Sequence, residues 1–230
     1  MTVAEKILTF YQSLSIDEPL PDHVEVMNPY QEKETFEVCS KFYRKYYNDH
    51  GNRILILGIN PGRFGGGITG VPFTDPIKLE TYCNIPNSLQ KKPELSADFI
   101  YQMINAYGGV ETFYKHFYIS AISPLGFTKE GKNINYYDSK ELHKYLESFI
   151  LSSLNKQLAF GISSKTCYCL GEGANFKVLQ KLNEQHHFFE TIVPLAHPRF
   201  IMQYRRKKVD EYITVYLDKL NAAGVDFTHL

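Results

Sequence analysis

The sequence predicts an α/β fold: a central four-stranded, mainly parallel sheet with helices on both faces. Three observations carry this. Ile54 to Leu57, within the short segment 53–57, are continuously apolar, as a strand covered on both sides must be, and segments 117–122, 158–162 and 191–195 resemble it. Amphipathic helical patterns separate them, and a parallel pair of strands needs such a crossover to bring the chain back. No repeat, low-complexity tract or long linker interrupts the 230 residues, so a single domain spanning 1–230 is expected.

Taken in order, Ile7, Leu8, Tyr11 and Leu14 recur at helical spacing and set a first helix over 5–14. Pro19, Pro21 and Pro29 make 15–30 an ordered connection. Phe36, Cys39, Phe42, Tyr43 and Tyr46 define a second helix, after which Gly51 can supply a left-handed cap. Ile54 to Leu57 form the first strand. Helices are expected over 97–106 and 140–154, the latter opened by Asp138 as N-cap and Glu141 three residues on. A short helix over 177–182 follows the third strand, and one over 208–220 closes the pattern with Val209, Tyr212, Ile213, Tyr216 and Leu220 inward. Ligands of such sheets bind beyond the carboxyl ends of the strands, which is where functional motifs should fall.

Composition narrows the classes. Twenty-five basic and twenty-five acidic residues cancel, so no global field draws the chain to nucleic acid and any contact must be local. Cys39, Cys83, Cys167 and Cys169 contain no CxxC pair, which argues against structural zinc or an iron–sulfur cluster and for reduced thiols in a cytosolic protein. No metal and no cofactor is expected. Residues 1–14 carry charges and no continuous apolar run, so neither a signal peptide nor a membrane partner is expected; the cytoplasm, or the nucleoid of a bacterium, is the expected location.

The most informative stretch follows the first strand: Gly58-Ile59-Asn60-Pro61-Gly62-Arg63-Phe64-Gly65-Gly66-Gly67-Ile68-Thr69-Gly70-Val71-Pro72-Phe73. Six glycines and two prolines admit a ligand close to the backbone and restrict its path, and exposed amides there can form an anion nest. The alternative is a tight loop whose glycines solve a packing problem. A dinucleotide fingerprint fails because Pro72 falls where a helix should be under way, and a Walker A loop fails for want of Lys-Ser or Lys-Thr.

This stretch resembles motif 1 of the uracil-DNA glycosylase superfamily, most of all its single-strand-selective monofunctional branch, whose loop reads nearly GMNPGPFG and then TGVPF. Arg63 replaces the family proline. Ser123-Pro124-Leu125, Gly131-Lys132-Asn133, Gly171-Glu172-Gly173 and His197-Pro198 follow in family order, so the resemblance runs over about residues 20–220. It implies a uracil-DNA glycosylase-like fold and hydrolysis of the N-glycosidic bond of uracil, or a related deaminated or modified base, in DNA. It implies Asn60 as the water-positioning residue and His197 as the donor to the departing base. Gly58, Ile59, Gly62, Phe64, Phe73, Ser120, Ala121 and Ser123 would form the base pocket, with Phe73 stacking on the base. Of the other histidines, His23, His50, His116, His143, His186, His187 and His229 have no comparable context and default to structural or surface roles.

Arg199, Arg205, Arg206, Lys207 and Lys208, interleaved with Phe200, Ile201, Met202 and Tyr204, contain no acid. By resemblance this is the loop that enters DNA and contacts flanking phosphates; a basic helix start is the alternative. Arg63, Gly65, Gly66 and Tyr204 complete the expected DNA surface, on single- or double-stranded DNA, with the protein a monomer. One position departs from the family: the asparagine that reads uracil falls at Ala121, which offers neither donor nor acceptor. Ser120 or Ser123 substitutes, or recognition extends to hypoxanthine, xanthine or a modified pyrimidine. A catalytically weak protein that binds damaged DNA is the alternative function, and an enzyme of free nucleotides ranks below it because a small substrate does not need the basic segment.

Overall fold

The computed structural model describes residues 1–17 and 19–222; His229, and the end of the expected domain, lie outside them. The strands are β1 (Val24–Met27), β2 (Arg53–Gly58), β3 (Phe117–Ala121), β4 (Gly126–Lys129), β5 (Lys132–Ile134), β6 (Ile162–Leu170) and β7 (Thr191–Leu195). The helices are α1 (Val3–Gln12), α2 (Lys33–Tyr46), α3 (Gly66–Thr69), α4 (Pro76–Thr81), α5 (Leu95–Ala106), α6 (Val110–His116), α7 (Lys140–Leu158), α8 (Ala174–His186), α9 (Pro198–Tyr204) and α10 (Val209–Ala222).

The main sheet has the order β3-β2-β6-β7 with every pair parallel, and it is the α/β sheet the apolar runs predict. Helices cover both faces. Successive residues of a strand point to opposite sides. The Tyr118 hydroxyl meets that of Tyr11 from α1 at 3.0 Å, while the ring of Phe117 packs on Phe113 of α6 at 5.0 Å. Much of the aromatic content is spent here: Tyr11 also meets Tyr43 at 3.2 Å and stacks on Tyr30 at 4.1 Å, giving buried hydroxyls partners within the core.

Four local expectations are corrected. The segment 158–162 is not the third strand: α7 runs on to Leu158, Phe160 packs on Phe10 at 5.4 Å, and the strand begins at Ile162. After Ile162 its residues Ser163 to Thr166 are polar and at least partly exposed, so only the buried end from Cys167 to Leu170 carries a continuous apolar signal. Asp138 does not cap α7. Ser139 does, its hydroxyl accepting from the Leu142 N–H, while Asp138 accepts from Asn135. Gly51 does not cap α2, which ends at Tyr46 with Tyr47 as C-cap at φ −131°; the Gly51 N–H instead bonds Asp49, which pairs with buried Arg53 at 2.6 Å. Residues 15–30 contain β1, which joins β4 and β5 in a second, antiparallel sheet of order β1-β4-β5.

That small sheet buttresses the chemistry-bearing loop. A Cβ on Gly126 would lie 2.5 Å from the Pro61 carbonyl oxygen, so β4 presses directly on the turn after β2. All four cysteines are buried and free. Among the described residues no helix is long and apolar enough to cross a membrane, and no group of three or more His, Cys, Asp or Glu is placed to hold a metal.

Candidate active site

Strand register brings the functional candidates to one edge. Gly58 at the end of β2 pairs with Ala121 at the end of β3, and Leu170 of β6 with Leu195 of β7. Asn60 and His197 each lie two residues past their strand, so both emerge at the same carboxyl edge. They line one cleft of about 480 Å³, with Phe73, Gly62, Glu94 and Arg199. At its inner end Ile59, Pro72, Phe73 and Ala121 close a recess of about 30 Å³, also bounded by Asn60 and Glu94.

Asn60 is held from both ends of its amide. Its Oδ1 accepts from the Tyr136 N–H at 3.0 Å and its Nδ2 donates to the Ile134 carbonyl at 3.2 Å. The Tyr136 hydroxyl in turn donates to Asn175 Oδ1 at 2.9 Å, and Asn175 Nδ2 donates to the Leu170 carbonyl at 3.1 Å and the Gly58 carbonyl at 3.4 Å. One chain of hydrogen bonds thus ties the ends of β2 and β6 to the segment after β5. It leaves Asn60 Oδ1 one lone pair for another partner.

Phe73 has φ +53°, a left-handed conformation that is uncommon for a bulky residue and costs on the order of 1–3 kcal/mol. The turn is held by Thr69, whose hydroxyl donates to the Thr74 carbonyl at 2.6 Å and accepts from the Val71 N–H at 3.1 Å. Gly58 makes room for the ring: a Cβ there would sit 2.7 Å from Phe73 Cε2. The ring lies 6.0 Å from the imidazole of His197, inclined at 52°.

His197 caps α9, its Nδ1 accepting from the Arg199 N–H at 3.1 Å. A nitrogen that accepts carries no proton, so in the neutral ring the proton sits on Nε2, which is the donor left over. Burial, with the Arg199 charge adding, depresses its pKa to about 4, so the ring is neutral near pH 7. Behind it, the Tyr216 hydroxyl of α10 bonds the Ala196 carbonyl and Lys219 bonds the Pro194 carbonyl at 2.8 Å.

The remaining expected residues divide. Gly58, Ile59, Gly62 and Ala121 are gathered at the recess or beside Phe73. Phe64 is not: its ring is exposed and lies beneath the charges of Arg63 and Lys92 at 5.0 and 5.1 Å. Ser120 and Ser123 are buried outside the lining, and Ser123 Oγ donates to the Leu125 carbonyl at 2.9 Å. Gly65 and Gly66, expected at DNA, are buried, Gly65 against Glu94. The N–H groups of Gly67, Ile68, Thr69 and Gly70 are spent on carbonyls of the loop itself, so this part of the loop offers no anion nest. Arg63 is exposed and bonds the Gly131 carbonyl.

The basic segment is helical rather than an open loop. Arg199, Phe200, Gln203 and Tyr204 of α9 face the cleft, and Phe200 and Tyr204 are exposed with ring centroids 5.7 Å apart. Arg205 lies over the Phe200 ring at 5.3 Å; Arg206, Lys207 and Lys208 form a 3-10 turn, where Lys208 pairs with Glu211 at 3.1 Å. Sequence reasoning missed Glu94, Asn135 and Tyr136 altogether. Asn133 stood only as a landmark.

An amide and a neutral imidazole delivered by two parallel strands to one cleft, which an aromatic ring also lines, fit the class of base-excising glycosylases built on an α/β sheet. The Uracil DNA glycosylase superfamily profile matches residues 44–221, and the chain belongs to that superfamily. It is similar over 98% of its length, at 51% identity and a TM-score of 0.96, to the whole of wild-type Pedobacter heparinus SMUG2 in its crystal structure. No curated protein matches it significantly. Membership gives the general activity, DNA glycosylase, and the partner class, DNA.

Proposed function

We propose that the protein hydrolyses the N-glycosidic bond of uracil, or of a related deaminated or modified base, as a monofunctional glycosylase of base excision repair. The reading is supported above all by Asn60, Phe73 and His197 lining one cleft. Cleavage develops positive charge on the deoxyribose and negative charge on the base, and rate is gained only by groups that favour that separated state. Phe73 stacks on the extruded base, worth about 1–3 kcal/mol. Asn60 holds the water whose oxygen adds to the sugar as the bonding pair departs with the base. An amide takes no proton, so stabilising the leaving group must carry most of the rate. The Nε2–H of His197 donates to the oxygen of the base as its charge grows. Phe200 and Tyr204 stand where the gap left by a flipped nucleotide is filled, and Arg199, Arg205 and Arg206 where flanking phosphates pass.

No lysine lines the cleft among the described residues, so borohydride is expected to trap no covalent intermediate. The deciding experiment is an excision panel of uracil, hypoxanthine, xanthine and hydroxymethyluracil in single- and double-stranded oligonucleotides. Alkali-labile sites on at least one base are expected; none on any ends the reading. Ala121, which lacks a polar handle, favours one other: a protein that keeps the cleft to bind damaged DNA. Micromolar binding to uracil-containing DNA without turnover would establish it.

A further inference from the structure

Glu94 is a carboxyl in the cleft that nothing above uses. It precedes α5, its N–H fixed to Asp75 Oδ2 at 3.0 Å, and it bounds both the cleft and the inner recess beside Ala121. Its Oε2 is enclosed and has no hydrogen-bond partner. The fold makes room for this oxygen, since a Cβ on Gly65 would lie 1.8 Å from it. The other oxygen, Oε1, lies 3.8 Å from where a Cβ on Gly62 would stand, and Gly62 lines the same cleft and recess as Glu94. An enclosed, unpartnered carboxylate oxygen is costly, which favours the neutral acid, and a neutral acid at the wall of a substrate cleft has an O–H to offer a ligand.

Charge decides which form works. The departing base carries negative charge, and an ionised carboxylate in the wall of its cleft would repel it, whereas a neutral acid has an O–H to donate. We propose that Glu94 acts as a neutral acid, donating a hydrogen bond to the departing base as the second donor beside His197, in place of the polar group missing at Ala121. The Glu94 proton is shared and not transferred: the bonding pair leaves on the base nitrogen, water supplies the oxygen at the sugar, and the proton that water releases is balanced, through solvent, by the one the base anion takes up. This rests on the excision reading above.

The surroundings hold the acid neutral. Burial and the nearby charge of Asp75, with Asp98, push its pKa up to about 7, against Arg199 of α9 and Lys78 of α4. Lys78 is itself paired with Asp98 at 2.6 Å and Asp75 at 3.6 Å, and His197 across the cleft is neutral in this range. A carboxyl kept protonated by its site so that it can stabilise an anion is an established device.

The experiment is single-turnover excision of the base identified by the panel, at saturating enzyme from pH 5 to 9, for wild type, Glu94→Gln and Glu94→Ala. The wild-type rate is expected to fall with rising pH, beginning near pH 7. Glu94→Gln, which keeps a neutral donor of the same shape, is expected to lose about tenfold at pH 6 and to show no alkaline fall. Glu94→Ala is expected to lose about 10²–10³-fold at pH 6. A rate that rises through pH 7 would mean the carboxylate acts as a base and overturns the proposal. So would an unchanged alkaline fall in Glu94→Gln, or full activity in Glu94→Ala. Melting curves at pH 6 separate lost folding from lost chemistry, and the infrared carbonyl band of a neutral acid, present in wild type at pH 6 and missing from Glu94→Gln, reads the protonation without turnover. A missing band overturns the proposal even with excision intact, whereas a wild type that excises nothing overturns the excision reading and the role of Glu94 with it.

Discussion

The loops after β2 and β7 reach the same cleft by opposite means. Asn60 is fixed by partners: both ends of its amide are bonded to the backbone at Ile134 and Tyr136, and its position is relayed to the ends of β2 and β6. His197 is fixed by burial and by a single N–H from Arg199, which leaves one donor unspent and a pKa displaced to about 4. The first arrangement holds geometry, with no proton to gain or lose. The second keeps a group whose interaction strengthens as charge develops opposite it, which is what lowers a barrier. Damage to the two loops should therefore differ in kind.

Of the two loops, the larger effect on excision belongs to the imidazole. His197→Ala removes the Nε2 donor together with the cap on α9, and excision is expected to fall about 10²–10³-fold while stability falls by about 1 kcal/mol, the usual cost of a lost cap. Single-turnover rates and urea melts of the same preparation measure both. A loss below tenfold with folding intact would remove His197 from the chemistry.

Asn60→Ala should reverse the balance. It strips the Tyr136 N–H and the Ile134 carbonyl of their partners, each worth about 1–3 kcal/mol if left unsatisfied, and it frees the segment after β5 from β2. Excision is expected to fall about 10²-fold and stability by more than in His197→Ala. If Asn60→Ala melts like wild type, the amide is not the clamp its hydrogen bonds describe.

The same contrast explains what was legible in the sequence. Asn60 and His197 stand where strands end, Phe73 closes a loop rich enough in glycine and proline to be recognised, and β7 matches its apolar run. The start of β6 is hidden because Ser163 to Lys165, which follow Ile162, are polar and break the apolar run, and Leu158 reads equally well as strand or helix. The small sheet is hidden because three- and four-residue strands have too few alternations to show a period. Glu94 gave no local sign. It follows Lys91, Lys92 and Pro93 in what looks like a charged surface loop, and only tertiary packing against Gly65, 29 positions away, buries its oxygen. The clamp on Asn60 is equally non-local, since its partners lie 74 and 76 positions along the chain.

The smallest expected effect is on the pH dependence of stability. His197 has its pKa lowered from 6.5 to about 4, so between those values the unfolded chain binds a proton that the folded one refuses, and stability from this group is lost as pH falls. Glu94 has its pKa raised from 4.5 to about 7, so its contribution is complete below 4.5 and is lost as pH rises through 7. Between pH 4.5 and 6.5 the two slopes oppose each other. His197→Gln should lose the first slope, so that its melting temperature relative to wild type climbs by a few degrees as pH falls from 6.5 to 4. Glu94→Gln should do the opposite, gaining on wild type as pH rises from 4.5 to 7. Asn60→Ala has no proton to exchange, and its deficit should stay level across the whole range. A deficit in Asn60→Ala that changes with pH as steeply as the difference for His197→Gln would mean that the two loops are coupled, the amide setting the burial of the imidazole across the cleft.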